Sequence, residues 1–166
     1  ARGLVEVYQR QALMISPVQC ALSDQFERFA YDPDAAKKLL VEAGYPDGFE
    51  VTMDCPNDRY VNDEAICQAV VSMLAKIGVT VDLNAQPKAK YFAKVLQSNG
   101  FDTSFYLLGW TPGSFDSWNI LSNISHCRST EGSEAPFNLG GYCNPKVDEI
   151  TAKVLVENDP DKRNEM

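Results

Sequence analysis

The sequence predicts an α/β lobe in three layers, with a mainly parallel sheet between helices. Three observations carry this. Residues 49–54 and 79–84 alternate apolar and polar side chains, the period of a strand; the stretches that follow each of them repeat their apolar residues at helical spacing; and the connections are short. Strand, helix, strand, helix, strand in that order is the pattern of parallel strands joined by right-handed crossovers.

Taken in chain order, residues 1–31 show little period and read as a lead-in, with Pro17 inside it and Phe26, Phe29 and Tyr31 near its end. Asp32-Pro33 sets a cap before a proline at the first helical position, and Ala36, Leu39, Leu40 and Ala43 follow at helical spacing until Gly44, which predicts a helix over 33–43. Tyr45-Pro46-Asp47-Gly48 is turn chemistry. Phe49, Val51 and Met53 then face one way and Glu50, Thr52 and Asp54 the other, as in a strand with one covered face.

After a loop over 56–61, Asn62 is placed to cap a helix with the stripe Ile66, Ala69, Val70, Met73, Leu74 and Ile77, and Val61 and Ile66 are placed as a hydrophobic staple. Gly78 ends it. Val79, Val81 and Leu83 alternate with Thr80, Asp82 and Asn84 as a second strand, and Tyr91, Phe92, Val95 and Leu96 form a second helical stripe that stops near Gly100. Residues 101–109 are expected as the third strand, since Phe105 to Leu108 is apolar without alternation, as in a strand covered on both faces. Asn144-Pro145 opens a helix carrying Val147, Ile150 and Val154, and Asp159-Pro160 opens another that the chain end at Met166 is expected to interrupt. No internal repeat or low-complexity tract is present, and the charges at 157–165 read as a solvated helix face.

Composition narrows the function classes. Fifteen Lys and Arg against 23 Asp and Glu give a net charge of −8, which repels nucleic acid and anionic lipid. The longest apolar run, Phe105 to Trp110, is far below the ~18 residues that a spanning helix needs, so no direct membrane insertion is expected. A single histidine, His126, removes HExxH and multi-histidine metal sites, and His126 beside Cys127 makes a poor ligand pair; no metal and no cofactor is expected.

Five cysteines, Cys20, Cys55, Cys67, Cys127 and Cys143, form no CxxC pair and point to an oxidising compartment. Cys127 and Cys143 bracket an aperiodic Ser, Gly and Glu-rich stretch and are expected to pair. Cys55 ends a strand and Cys67 lies one turn into the next helix, which leaves two readings open: a second bridge, or Cys67 as a small core residue. Cys20 is then unpaired.

In open α/β sheets a ligand crevice lies beyond the carboxyl ends of the strands, so the loops to watch are 55–62, 85–88 and 109–118. The residues of several of these stretches match a known family. Tyr31-Asp32-Pro33 with Ala36-Lys37-Lys38-Leu39-Leu40 and Ala43-Gly44-Tyr45-Pro46, then Pro56-Asn57-Asp58-Arg59-Tyr60 and Leu74-Ala75-Lys76-Ile77-Gly78-Val79, stand in the family's order. Gly109-Trp110, the run Gly141 to Asp148, and Asp159-Pro160 with Lys162-Arg163 follow. From about residue 28 onward the chain resembles the family 5 extracellular solute-binding proteins, the peptide-binding subunits of ABC importers.

The resemblance implies one lobe of a two-lobed clamp of the periplasmic-binding-protein type II kind. Residues 1–31 would be the lead-in from a missing N-terminal lobe, and 32–166 the C-terminal lobe, incomplete at its end. Some 300 residues and a signal peptide would precede Ala1, and a short return to the first lobe would follow Met166. It also implies a small peptide or peptide-like solute as ligand, permease subunits as partners, a monomer, and a periplasmic or extracellular place at the cell envelope.

Arg59 aligns with the arginine that, in the dipeptide-binding branch, pairs with the peptide's terminal carboxylate; a guanidinium is a planar, permanent, bidentate partner for that group. The alternative is a surface arginine paired with Asp58 or Asp63. That branch places an aspartate for the ligand's ammonium three residues after the Gly-Trp tryptophan, where this chain has Gly113. Asp116, three residues further on, is either the substitute or the cap of a short helix containing Ile120 and Leu121. Trp110 and Trp118 are candidate pocket walls or core residues, and the backbone of Gly109, Thr111 and Gly113 is placed to pair with a peptide main chain.

A binding module is therefore the leading class. The other readings are a family member for a nickel chelate, haem, sugar or opine, a chemosensory receptor, and a hydrolase using Asp54, Asp58 and Asp63 as acid and base. Carboxylates near a helix start are more often caps than catalysts.

Overall fold

The structure, a computed structural model, describes residues 30–96, 100–111, 113, 116–129 and 135–166. Residues 1–29 of the expected lead-in, with Pro17, Cys20, Phe26 and Phe29, lie outside the described residues. The chain divides into two compact units, one of residues 31–109 and one that takes in the chain from Trp110 onward.

The first unit begins with α1 (Pro33–Glu42), capped as expected by Asp32, whose carboxylate accepts from the N–H groups of Asp34 and Ala35. It buries no residue fully, and Leu39 is 64% exposed. Next, β1 (Phe49–Pro56) pairs in parallel with β2 (Val79–Gln86) in the register Phe49 to Val79 through Pro56 to Gln86. Between them runs α2 (Asp63–Ala75), and α3 (Lys88–Val95) follows β2. The core collects Met53, Cys55 and Cys67, against which Val70, Val81, Leu83, Phe105 and Leu107 pack.

Four expectations are corrected. The third strand reduces to one parallel bridge, Asp54 to Tyr106, made by Asp54 N–H to Phe105 O at 2.9 Å and Leu107 N–H to Asp54 O at 3.0 Å. Phe101 sits at φ 57°, and a tight turn closes from Thr103 N–H to Phe101 O. Further along, tyrosine hydroxyls occupy the segment's carbonyls: Tyr91 donates to Leu107 O at 2.8 Å and Tyr60 to Gly109 O at 3.1 Å. The segment thus makes one backbone bridge to β1, and its Leu107 and Gly109 carbonyls go to side chains instead of extending the ladder.

Second, Asp54, expected on the polar face of β1, is 2% exposed. Its carboxylate takes Lys94 Nζ at 2.7 and 2.8 Å, Asn84 Nδ2 at 2.8 Å and Thr103 Oγ1 at 2.8 Å, so every partner needed by a buried charge is present. Third, the inward stripe of α2 is Asp63, Cys67 and Val70 with Leu74, turned from the expected one; Ile66 and Met73 stand 45% and 44% exposed. The disulfide and the aspartate draw that face inward. Fourth, Val61 is 86% exposed, so no staple forms, and Asn62 at φ 60° makes no side-chain cap.

The second unit contains α4 (Ser117–Ile120), continuing as a π turn over Leu121–Ser125, then α5 (Pro145–Val156) and α6 (Pro160–Glu165). Asn144 and Asp159 cap the last two as their cap-then-proline starts predict. Thr151 and Val154 are the buried residues of α5. Among the described residues no helix is long and apolar enough to cross a membrane.

Candidate functional site

The loop after β1 is organised by one carboxylate. Asp63, 3% exposed at the start of α2, accepts from the backbone N–H groups of Arg59, Tyr60 and Glu64, each at 2.9 Å. The Tyr60 N–H foremost, then those of Arg59 and Glu64, hold the Asp63 carboxyl below the ordinary carboxylate range against the opposing effect of burial. Asp58 accepts from the Lys88 N–H at 2.6 Å and so tethers the loop to the first turn of α3. A disulfide between Cys55 and Cys67 closes the base of this loop, with both cysteines fully buried.

These contacts bear on the alternative reading of Arg59, a surface arginine paired with Asp58 or Asp63. Asp63 takes the Arg59 backbone, not its guanidinium, and Asp58 is spent on Lys88. Among the described residues no carboxylate lies in ion-pair distance of that guanidinium, and its Cζ stands over the Tyr60 ring, 4.9 Å from the centroid. Arg59 is exposed at the carboxyl end of the sheet. Gly109 belongs to the same unit: its carbonyl accepts from Tyr60 Oη, and a Cβ there would fall 2.8 Å from Tyr60 Cε1. Asp54, Asp58 and Asp63 are thus each committed to internal hydrogen bonds.

The remaining expected residues lie in the second unit. Trp110 donates from Nε1 to Asn119 Oδ1 at 3.0 Å and meets Phe137 edge-on, with ring centroids 5.0 Å apart. Asp116 caps α4 by accepting from Trp118 N–H at 2.9 Å, and both its oxygens receive Arg163 at 2.8 and 3.0 Å. That hydrogen bond with Arg163 is the main cause of a lowered Asp116 pKa. Trp118 lines a cleft of about 330 Å³ together with Asn123, His126, Pro136, Thr151 and Leu155. Thr111 and Gly113 are exposed, and a Cβ on Gly113 would meet nothing within 4 Å.

Cys127 and Cys143 form the second disulfide, as the sequence leads one to expect. Inside its loop, Asn138, 2% exposed, donates to the carbonyls of His126 and Tyr142 and accepts from Tyr142 N–H, while Arg128 donates to the carbonyls of Asn138 and Leu139. Sequence reasoning passed over this pair, and it passed over Tyr60 and Asp63 as parts of the Arg59 site. The available signal was an aspartate at the first position of a helix, three residues after Tyr60. Among the described residues no cluster of three or more His, Cys, Asp or Glu could hold a metal ion.

Comparison with known proteins places these features. The family model described as bacterial extracellular solute-binding proteins, family 5 Middle, matches residues 6–132. A glutathione-binding protein, GsiB, of Salmonella typhimurium is 28% identical over 159 residues, covering 94% of this chain and 30% of that protein. A dipeptide-binding protein from Pseudoalteromonas sp. SM9913, solved with Met-Leu, is 28% identical with a TM-score of 0.69, over 81% of this chain and 26% of that one. The periplasmic binding protein DppA of Helicobacter pylori, solved with the peptide STSA, shares the fold at 23% identity and a TM-score of 0.71, over 84% of this chain and 26% of its own. The chain therefore spans under a third of the length of these relatives.

Proposed function

The chain belongs to the bacterial extracellular solute-binding proteins of family 5, and from that premise we propose that it is part of the substrate-binding component of an ABC importer, a receptor that captures a peptide-like solute by its carboxylate and releases it unchanged to a permease. The single observation that carries this reading is Arg59: an exposed guanidinium beyond the carboxyl end of a parallel strand, held over an aromatic ring and without a carboxylate partner among the described residues. A planar donor fork left open in this way suits a bidentate carboxylate. The names of relatives support the same ligand chemistry, since glutathione and Met-Leu both end in a free carboxylate. Two disulfides fit the oxidising space outside the cytoplasm that the family's description requires.

The test uses the full-length protein in calorimetric titrations with Met-Leu and glutathione, each as the free acid and with its C-terminal carboxyl amidated. The acids should bind at least about tenfold more tightly than the amides, and Arg59→Gln should collapse that ratio to near one, in keeping with roughly 1.5–3 kcal/mol for a hydrogen bond to a charged group. Equal binding of acids and amides by the parent protein, or turnover of either peptide, overturns the proposal.

A further inference from the structure

Taking Arg59 as the carboxylate anchor raises the question of what holds it. An arginine side chain loses rotamer freedom when fixed, and an acidic partner that fixed it would compete with the ligand for the same donors. The Tyr60 ring does not compete. It attracts the guanidinium through its face and leaves the N–H edge free to donate in the guanidinium plane.

That ring is itself restrained from three sides. Its hydroxyl donates to Gly109 O at 3.1 Å; its Cε1 and Cδ1 edge fills the space where a Gly109 Cβ would stand, at 2.8 and 3.2 Å; and its backbone N–H is held by Asp63 at 2.9 Å. The Cys55 to Cys67 disulfide encloses Arg59, Tyr60 and Asp63 in one covalent ring. We infer that Tyr60, locked to Gly109, is a positioning residue that presents the Arg59 guanidinium to the ligand carboxylate, and that Gly109 is a glycine because the Tyr60 ring occupies its Cβ position. This rests on the Arg59 reading above.

The experiment extends the same titrations of full-length protein, with Met-Leu and Met-Leu amide, to Tyr60→Leu, Tyr60→Phe, Gly109→Ala and the double variant Arg59→Gln/Tyr60→Leu, with melting temperatures measured for each. Tyr60→Leu should weaken acid binding about tenfold and leave amide binding within twofold, and Gly109→Ala should lower the acid to amide ratio about tenfold. Tyr60→Phe, which keeps the ring, should retain most of the acid preference, and the double variant should bind the acid no more weakly than Arg59→Gln alone. An unchanged acid to amide ratio in Tyr60→Leu, or losses that add in the double variant, would sink the positioning role while Arg59→Gln still removes the preference. If Arg59→Gln itself leaves the ratio unchanged, or the parent protein shows no acid preference, the anchor reading falls and the inference falls with it.

Discussion

At the scale of single residues, charge pairing decides which groups can face a ligand. Arg59 is left open because both neighbouring aspartates are used elsewhere, Asp58 on the Lys88 N–H and Asp63 on three backbone N–H groups. Asp116 is the reverse case: its two oxygens already hold Arg163. A ligand ammonium would have to displace the Arg163 Nη2 that both oxygens share, an exchange of one charged donor for another that gains little. Gly113 offers a cleaner way to ask whether an amine anchor fits this loop. It stands clear of other atoms at its Cβ position and has no left-handed φ. Gly113→Asp should therefore fold normally, with a melting temperature close to the parent's, and the ratio of its affinities for free-amine Met-Leu and N-acetyl-Met-Leu then reports whether a carboxylate at this position meets the ligand amine. Equal affinity for the two ligands in that variant would show that position 113 does not reach the amine.

At the scale of elements, the parallel pair depends on two glycines where β1 and β2 begin. Gly48 has φ 78°, and a Cβ on it would overlap the carbonyl of Gly78, itself at φ 89°. Gly48→Ala should cost about 2–4 kcal/mol, because positive φ and a backbone clash act together, and should lower the melting temperature by several degrees. A melting temperature within a degree of the parent's would refute the close approach. Both strands, α1, α2, α3, α5 and α6 were legible in the sequence, since each rests on local signals: a cap, a proline, a period, a glycine stop. What could not be read locally was side-chain competition for the backbone. The apolar run 105–108 looks like a strand, yet Tyr91 takes the Leu107 carbonyl from 16 residues away, and Tyr60 takes that of Gly109, just beyond the run, from 49 residues away. The rotated stripe of α2 has a similar origin, for neither the Asp63 loop contacts nor the Cys55 to Cys67 bridge follows from helical periodicity. The Cys127 to Cys143 disulfide was legible, whereas the Cys55 to Cys67 bridge was only one of two readings the sequence left open; the placing of Tyr60 beneath the Arg59 guanidinium was not legible, because an aromatic beside an arginine gains a role only when Gly109 meets it.

At the scale of the whole molecule, three of the described carboxylates are held below their ordinary range and so contribute to the response to acid. Asp63 is lowered first by the Tyr60 N–H, Asp116 first by its hydrogen bond with Arg163, and Glu149 first by its hydrogen bond with Lys153. A carboxyl with a depressed folded-state pKa binds a proton more readily in the unfolded chain, so its contribution is complete above its unfolded value of about 4. As pH falls through that value toward the folded pKa, the unfolded chain takes up protons first and stability is lost. The net charge of −8 acts in the opposite sense, because neutralising it relieves self-repulsion, but that term is spread over the surface and screened by salt. The melting temperature should accordingly stay nearly level from pH 7 to about pH 5 and fall below about pH 4. Asp116→Asn isolates one contribution: it should melt a few degrees below the parent protein at pH 7, the gap should close as both are taken toward pH 2, and salt should narrow it, since the Asp116 to Arg163 pair is partly exposed. A gap that held constant across the titration would mean that the loss does not come from the charge of Asp116, since asparagine caps a helix about as well as aspartate and has no proton to lose.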